Sequence, residues 1–139
     1  MLSATRRPAT SPAMLSFIRN LLFSRQSTSS TSVTDVKAFV NNVIESNRIA
    51  VFSKSYCPYC RNAKSLLHDT YGGVPATVLE LDQRDDGNDI QDYLLEKTGQ
   101  RTVPSIFIDQ RHIGGSNDLA KLENEGNLND LIYKEGPAS

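Results

Sequence analysis

Two cysteines, Cys57 and Cys60, are the only thiols in the chain and stand three positions apart in Cys57-Pro58-Tyr59-Cys60. A pair that close cannot staple a fold; it is a redox reagent or half of a metal site. A cysteine attacks a disulfide only as its thiolate, and a free thiol with a pKa of about 8.5 is mostly protonated at neutral pH. Cys57 follows an apolar strand-like run and precedes a helical pattern, where unsatisfied N–H groups and the helix dipole stabilise an anion. Pro58 suits the first helical position, because it has no N–H to leave unpaired and its φ is already helical. Lys54 and Arg61 add positive charge nearby, and both are expected to lower the Cys57 pKa. Cys60 lies one turn further in, so Cys57 is expected to be the nucleophile and Cys60 the resolving thiol.

Other readings of the pair were weighed. A structural zinc site generally needs four ligands, and His68 and His112 are the only histidines and lack finger-like spacing. No metal is therefore expected. An inert buried pair would not need a strand-to-helix position flanked by bases. His68 falls mid-helix and His112 in a hairpin, where ordinary surface or core roles suffice.

The surrounding chain reads as elements able to hold that position. Ser32-x-x-Asp35 is a helix start, with Val36, Phe39, Val40, Val43 and Ile44 at helical spacing to about Ser46. Ile49-Ala50-Val51-Phe52 is a short apolar run, the signal of a buried central strand. The second helix opens at the cysteines and runs to about Tyr71, with Gly72-Gly73 ending it. Thr77 to Leu81 reads as a second strand, Asn88 to Lys97 as a third helix with Gly99 as its C′ residue, and Ser105 to Ile108 as a third strand. Asp109-Gln110 or nearby turns back into Arg111-His112-Ile113. Helices over Asn117 to Glu125 and Leu128 to Tyr133 complete the chain. The alternation predicts a small mixed sheet covered by helices, with parallel pairing across the β-α-β crossovers and one antiparallel hairpin.

Residues 1–32 have a different composition. They hold Arg6, Arg7, Arg19 and Arg25, no Asp or Glu, and twelve Ser or Thr. Residues 33–139 then carry 11 basic against 16 acidic side chains, so the formal net charge of −1 describes neither part. From Met14 to Arg25, apolar Leu15, Phe17, Ile18, Leu21 and Leu22 recur at helical spacing opposite Ser16, Arg19, Asn20 and Ser24. Arg-rich, Ser-rich, acid-free and amphipathic is the composition of a mitochondrial transit peptide, with cleavage expected between Arg25 and Val33. A disordered tail with no address, leaving the protein in the cytoplasm, is the alternative. The division expected is thus a presequence over 1–32, disordered or amphipathic, and one folded domain over 33–139. The balance of charge offers no basic field for nucleic acid, and no apolar run reaches the roughly 20 residues of a membrane span.

Lys54-Ser55-Tyr56-Cys57-Pro58-Tyr59-Cys60 resembles the active site of the dithiol glutaredoxins. The likeness continues through Thr102-Val103-Pro104 and Gly114-Gly115-Ser116-Asn117-Asp118-Leu119, covering essentially residues 33–139, and is most like fungal members. Thioredoxin proper is disfavoured, since the tryptophan that normally precedes its motif cannot exist in a chain with no Trp. The resemblance implies a thioredoxin-like α/β fold, a four-stranded mixed sheet flanked by helices. It also implies a monomeric enzyme that uses glutathione as co-substrate, acts on glutathionylated or disulfide-containing proteins, and draws electrons indirectly from glutathione reductase.

The same likeness assigns the binding residues. Gly115, Ser116, Asn117 and Asp118 at a helix start would receive the γ-glutamyl carboxylate and ammonium, although Ser116 to Asp118 also read as a simple helix cap. Lys54 and Gln91 match positions that hold the glycyl carboxylate; from sequence alone Gln91 passes as a solvated helix residue. Thr102, Val103 and Pro104, with Pro104 cis, would present the Val103 backbone to the cysteinyl part. Tyr59 would flank the groove, with a core or rim role equally readable. The resemblance leaves one rival open: a dimer bridged by a glutathione-ligated [2Fe–2S] cluster, used mostly by members with Ser or Gly where Pro58 stands.

Overall fold

The computed structural model describes residues 32–133. The amphipathic stretch Met14–Arg25, the remainder of the expected presequence up to Thr31, and residues 134–139 lie outside these. In chain order the elements are α1 (Val33–Ser46), β1 (Ile49–Ser53), α2 (Pro58–Tyr71), β2 (Ala76–Glu80), a 3₁₀ turn (Leu81–Gln83), α3 (Gly87–Thr98), β3 (Ser105–Ile108), β4 (Arg111–Gly114), α4 (Ser116–Asn124) and α5 (Leu128–Tyr133). The expected alternation is present, with β2 one residue earlier than its apolar pattern suggests because Leu81 turns into the 3₁₀ segment. Gly99 ends α3 with φ 82°, a left-handed conformation that suits glycine, and its N–H donates to the Leu95 carbonyl.

The four strands form one mixed sheet in the order β2-β1-β3-β4, a thioredoxin-like arrangement. β1 pairs parallel with β2 and antiparallel with β3, and β3 pairs antiparallel with β4. Parallel pairing therefore holds for one crossover and not for both. The chain leaves β2 at Glu80, beside Ser53, and re-enters β3 at Ser105, opposite Phe52, so exit and entry lie at the same end of the sheet. A twelve-residue helix is about 18 Å long, and the extended segment 99–104 is long enough to retrace it. That return reverses β3. The hairpin turns at Asp109 and Gln110, both at positive φ (50° and 67°), as a type I′ turn requires.

β1 is buried along its whole length, which explains why its sequence is a run and not an alternation. Its side chains still divide by the period of two. Ala50 and Phe52 join Val36, Val40 and Ile44 of α1, Ile90 and Leu94 of α3, and Phe107 on one face. Ile49 and Val51 join Ala63 and Leu67 of α2, Ile106, Ile108, Leu119 of α4, and Leu128 and Ile132 of α5 on the other. Phe52 and Phe107 meet edge to face at 5.9 Å, each contributing about 1.5–3 kcal/mol through burial. The second core fixes α2 against β1, and the cysteines stand at the start of that helix.

Candidate active site

β1 ends at buried Ser53, and a turn closes when the Cys57 N–H donates to the Lys54 carbonyl at 3.1 Å. Asp82, in the 3₁₀ segment, accepts the Ser55 N–H at 2.9 Å and also the Ser55 hydroxyl, which ties this turn to the neighbouring strand. Cys57 is the N-cap of α2, with φ −83° and ψ 122°, and Pro58 is the first helical residue. The Arg61 N–H donates to the Cys57 carbonyl at 3.0 Å, starting the helical ladder. The sulfur takes the place of the usual capping oxygen: Cys57 Sγ accepts the Cys60 N–H at 3.4 Å.

The two sulfurs are driven in opposite directions. For Cys57, burial is the largest single influence and raises the pKa, but it is outweighed by the N–H and thiol of Cys60, the N–H of Tyr59 and the charge of Lys64. The net result lies below the ordinary thiol value. The cation that acts on Cys57 here is Lys64, further along α2, which the sequence did not single out beside Lys54 and Arg61. The Lys54 ammonium acts instead on Asp82, whose carboxyl is held low chiefly by the Ser55 hydroxyl and N–H and then by Lys54. Cys60 has no exposed surface, and burial pushes its thiol up, against the Lys54 N–H and the Ser53 hydroxyl. The Cys57 sulfur raises it further. The lowered, partly exposed sulfur and the raised, buried one are thus distinguished by position on one helix start.

Beside Cys57 runs an open groove of about 420 Å³, lined by Tyr59, Gln100, Thr102, Val103, Pro104, Gly115, Ser116, Asn117 and Asp118. The Val103–Pro104 bond is cis, and the Cys57 thiol donates to the Val103 carbonyl at 3.9 Å. At the far wall the Gly115 N–H donates to Asp118 Oδ2 at 2.9 Å, so Asp118 caps α4. Ser116 and Asn117 are its first helical residues. Eight of the ten residues assigned to binding therefore share one wall or another of this groove. Tyr59 is 59 % exposed and takes the rim position of its two readings.

Lys54 and Gln91 are not among the lining residues. Gln91 is also not a solvated helix residue: it is 4 % exposed, and its Nε2 donates to the Arg101 carbonyl at 3.0 Å, bracing the wall from behind. Gln100 was not singled out by any pattern, yet its Nε2 donates to the Thr102 and Pro104 carbonyls at 2.9 and 3.0 Å and holds the loop closed. Ser53, Lys64, Glu80 and Asp82 were likewise unmarked; each acts through a partner on another element, which no local spacing reveals. His68 pairs with neighbouring Asp69 at the surface, and His112 contacts Ser105, so neither joins the cysteines. Among the described residues, no cluster of three His, Cys, Asp or Glu is placed to hold a metal ion. None of the described helices is long and apolar enough to cross a membrane.

A family model for glutaredoxins matches residues 49–113. Glutaredoxin-2 of Schizosaccharomyces pombe is 50% identical over 105 residues, spanning 74% of this chain and 94% of that protein. Glutaredoxin-1 of Rhizophagus irregularis is 43% identical over 100 residues, 72% of this chain and 97% of that protein. The crystal structure of a buckwheat glutaredoxin–glutathione complex has a TM-score of 0.68 at 38% identity, covering 72% of this chain and 89% of that one.

Proposed function

The chain belongs to the glutaredoxin family of glutathione-dependent oxidoreductases, and from that premise we propose that it reduces glutathione–protein mixed disulfides through Cys57 alone and protein disulfides through Cys57 with Cys60. The observation that carries this reading is the asymmetry of the pair: a lowered, half-exposed Cys57 at the mouth of a groove, and a raised, fully buried Cys60 behind it.

On the first route the Cys57 thiolate attacks the glutathione sulfur of the mixed disulfide. A bond forms between Cys57 and glutathione, the bond to the substrate protein breaks, and that protein leaves as a thiol. A second glutathione thiolate then attacks, releasing oxidised glutathione and restoring the Cys57 thiolate. On the second route Cys57 forms a mixed disulfide with the substrate protein, and Cys60 displaces it to leave a Cys57–Cys60 disulfide. In this reading the Val103 backbone pairs with the cysteinyl unit, and the start of α4 with Asp118 receives the γ-glutamyl carboxylate and ammonium; both line the groove beside Cys57. The buckwheat relative, crystallised with glutathione, supports the same ligand here.

The test is glutathione-dependent turnover of a glutathionylated substrate coupled to glutathione reductase, on the wild type and on Cys57→Ser and Cys60→Ser. Cys57→Ser is expected to lose both routes and Cys60→Ser only the second; a Cys60→Ser protein dead on glutathionylated substrates refutes the division. The same preparation, purified anaerobically, is expected to be a colourless monomer, and a brown dimer would favour the [2Fe–2S] scaffold. The acid-free, amphipathic composition of residues 1–32 supports import into mitochondria. Tagged protein that stays cytosolic with an intact Met1 would refute it.

A further inference from the structure

The second route leaves one proton unaccounted for. Cys60 has to become a thiolate before it can attack, yet it is fully buried and its thiol is pushed up. In the reduced protein its hydrogen-bond partner is the Cys57 sulfur. Once Cys57 is tied up in a mixed disulfide it has no negative charge left to attract that proton. The polar side chain still beside Cys60 is Ser53, which is also fully buried and acts on that thiol at close range.

Ser53 leads on to a carboxylate. Its hydroxyl donates to Glu80 Oε2 at 3.0 Å and Oε1 at 3.2 Å across the β1–β2 pair. Glu80 is half-buried at the end of β2 and receives Lys64 from α2 at 2.6 Å. Three elements thus converge on one carboxylate: Ser53 of β1 and Lys64 of α2 both bond to Glu80 of β2, and Ser53 stands beside the Cys60 thiol. A serine hydroxyl accepts one hydrogen bond while donating another, which is what a relay needs.

We propose that Ser53 and Glu80 form a proton relay that serves Cys60 during resolution of the protein mixed disulfide. Cys60 gives its proton to the Ser53 oxygen while the Ser53 hydroxyl gives its own to the Glu80 carboxylate. The Cys60 thiolate attacks Cys57 Sγ, the Cys60–Cys57 bond forms, and the bond from Cys57 to the substrate sulfur breaks. The leaving thiolate takes a proton from solvent, and Glu80 returns its own to solvent. No net electrons are gained or lost beyond the disulfide exchange. The groups facing the relay are Lys64 from α2, Cys57 and Cys60 from the start of that helix, and the Lys54 N–H from the loop.

Glu80 and Ser53 are positioning residues in this scheme, since both act through Cys60. The inference rests on the oxidoreductase reading, and one experiment separates the two. Reduced full-length protein is mixed with one equivalent of oxidised glutathione, quenched with acid at intervals, and read by mass spectrometry at several pH values between about 6 and 9. The first step, appearance of glutathionylated Cys57, reports the nucleophile. The second, conversion to the Cys57–Cys60 disulfide, reports Cys60. Glu80→Gln keeps the shape and a hydrogen-bond acceptor but removes the base. It is expected to slow the second step about tenfold or more at neutral pH, given the usual worth of proton transfer catalysis, and to displace the rise of its rate to higher pH. Ser53→Ala should do the same, and the double variant should be no slower than either single one. A wild-type second step and pH profile in Glu80→Gln would overturn the relay. So would equal slowing of both steps with no change of profile, which marks a purely structural ion pair. A wild-type protein that never forms the first adduct refutes the underlying reading instead.

Discussion

Asp118 has two jobs at one carboxylate, and substitutions can pull them apart. Its Oδ2 accepts the Gly115 N–H at 2.9 Å, a cap bond worth about 1 kcal/mol, and its negative charge at the start of α4 adds about 0.3–1 kcal/mol through the helix dipole. In the proposed complex the same charge pairs with the glutathione ammonium. Asp118 is exposed, so the pairing lies between the about 0.2–1 kcal/mol of a surface ion pair and the about 1.5–3 kcal/mol of a charged hydrogen bond. A value near 1–1.4 kcal/mol corresponds to about five- to tenfold in affinity. Asp118→Asn keeps an oxygen for the cap and loses the charge; Asp118→Ala loses both. Thermal melts should rank them wild type, Asn, Ala, with Ala about 4–8 °C below Asn for a domain of this size. The KM for glutathione in the coupled assay should rise by the same five- to tenfold in both, with kcat little changed, as expected when binding common to ground and transition states is removed. If Asp118→Asn keeps the wild-type KM while Asp118→Ala does not, the residue is a helix cap and the charge reads no ammonium.

Lys64→Gln on a Cys60→Ser background removes the cation that helps lower Cys57; the pH profile of its alkylation should move up and the rate at neutral pH fall, and an unmoved profile would exclude the electrostatic account. Gln100→Ala frees the Thr102 and Pro104 carbonyls, at about 1–3 kcal/mol for two hydrogen bonds, and should raise the KM for glutathione because the groove wall loosens; denaturant melts and the coupled assay check both. Tyr71, pushed up to about 12 by burial and by the hydrogen bond and charge of Glu123, should show in an ultraviolet titration as a phenol that ionises well above the ordinary value, absent from Tyr71→Phe. Its folded value lies above the ordinary one near 10, so this stabilisation is complete below pH about 10 and is lost as pH rises through the folded pKa; Tyr71→Phe should lessen the alkaline loss of stability.

What could be read from the sequence was local. Pro58 after a strand places a helix start at Cys57, Gly99 ends α3, and the apolar run at residues 49–52 marks the central strand, because each depends on conformational preferences of a few adjacent residues. The direction of β3 could not be read this way. It depends on segment 99–104 retracing α3, and the length of a loop does not reveal its path. The burial of Gln91 was also hidden, since its helical position looks solvated until Arg101 folds over it. Charge follows the same rule: Lys54 is the cation nearest to Cys57 in sequence, but its charge acts on Asp82, while Lys64 acts on Cys57 from along the helix. The groove residues were recoverable because three separated motifs resemble one family; from spacing alone Thr102 and Asn117 are ordinary loop and cap residues.

The opposed shifts of the two thiols have consequences beyond the first attack. A low pKa makes a thiol a good leaving group as well as a thiolate at neutral pH, so in the proposed monothiol cycle the second glutathione displaces Cys57 without further help. It also stabilises the reduced form, which is the direction separating glutaredoxins, at about −200 to −230 mV, from the more reducing thioredoxin. Cys60 gains neither advantage. A single helix start offers its N–H groups to the sulfur that caps it; at Cys60, one turn inward, burial and the repulsion of its neighbour outweigh the Lys54 N–H and Ser53. It can attack only after losing a proton in a place water does not reach. In the proposed scheme, the geometry that frees the first route from any base is therefore what makes the second depend on one, and Ser53, bonded to Glu80, stands between that sulfur and a carboxylate.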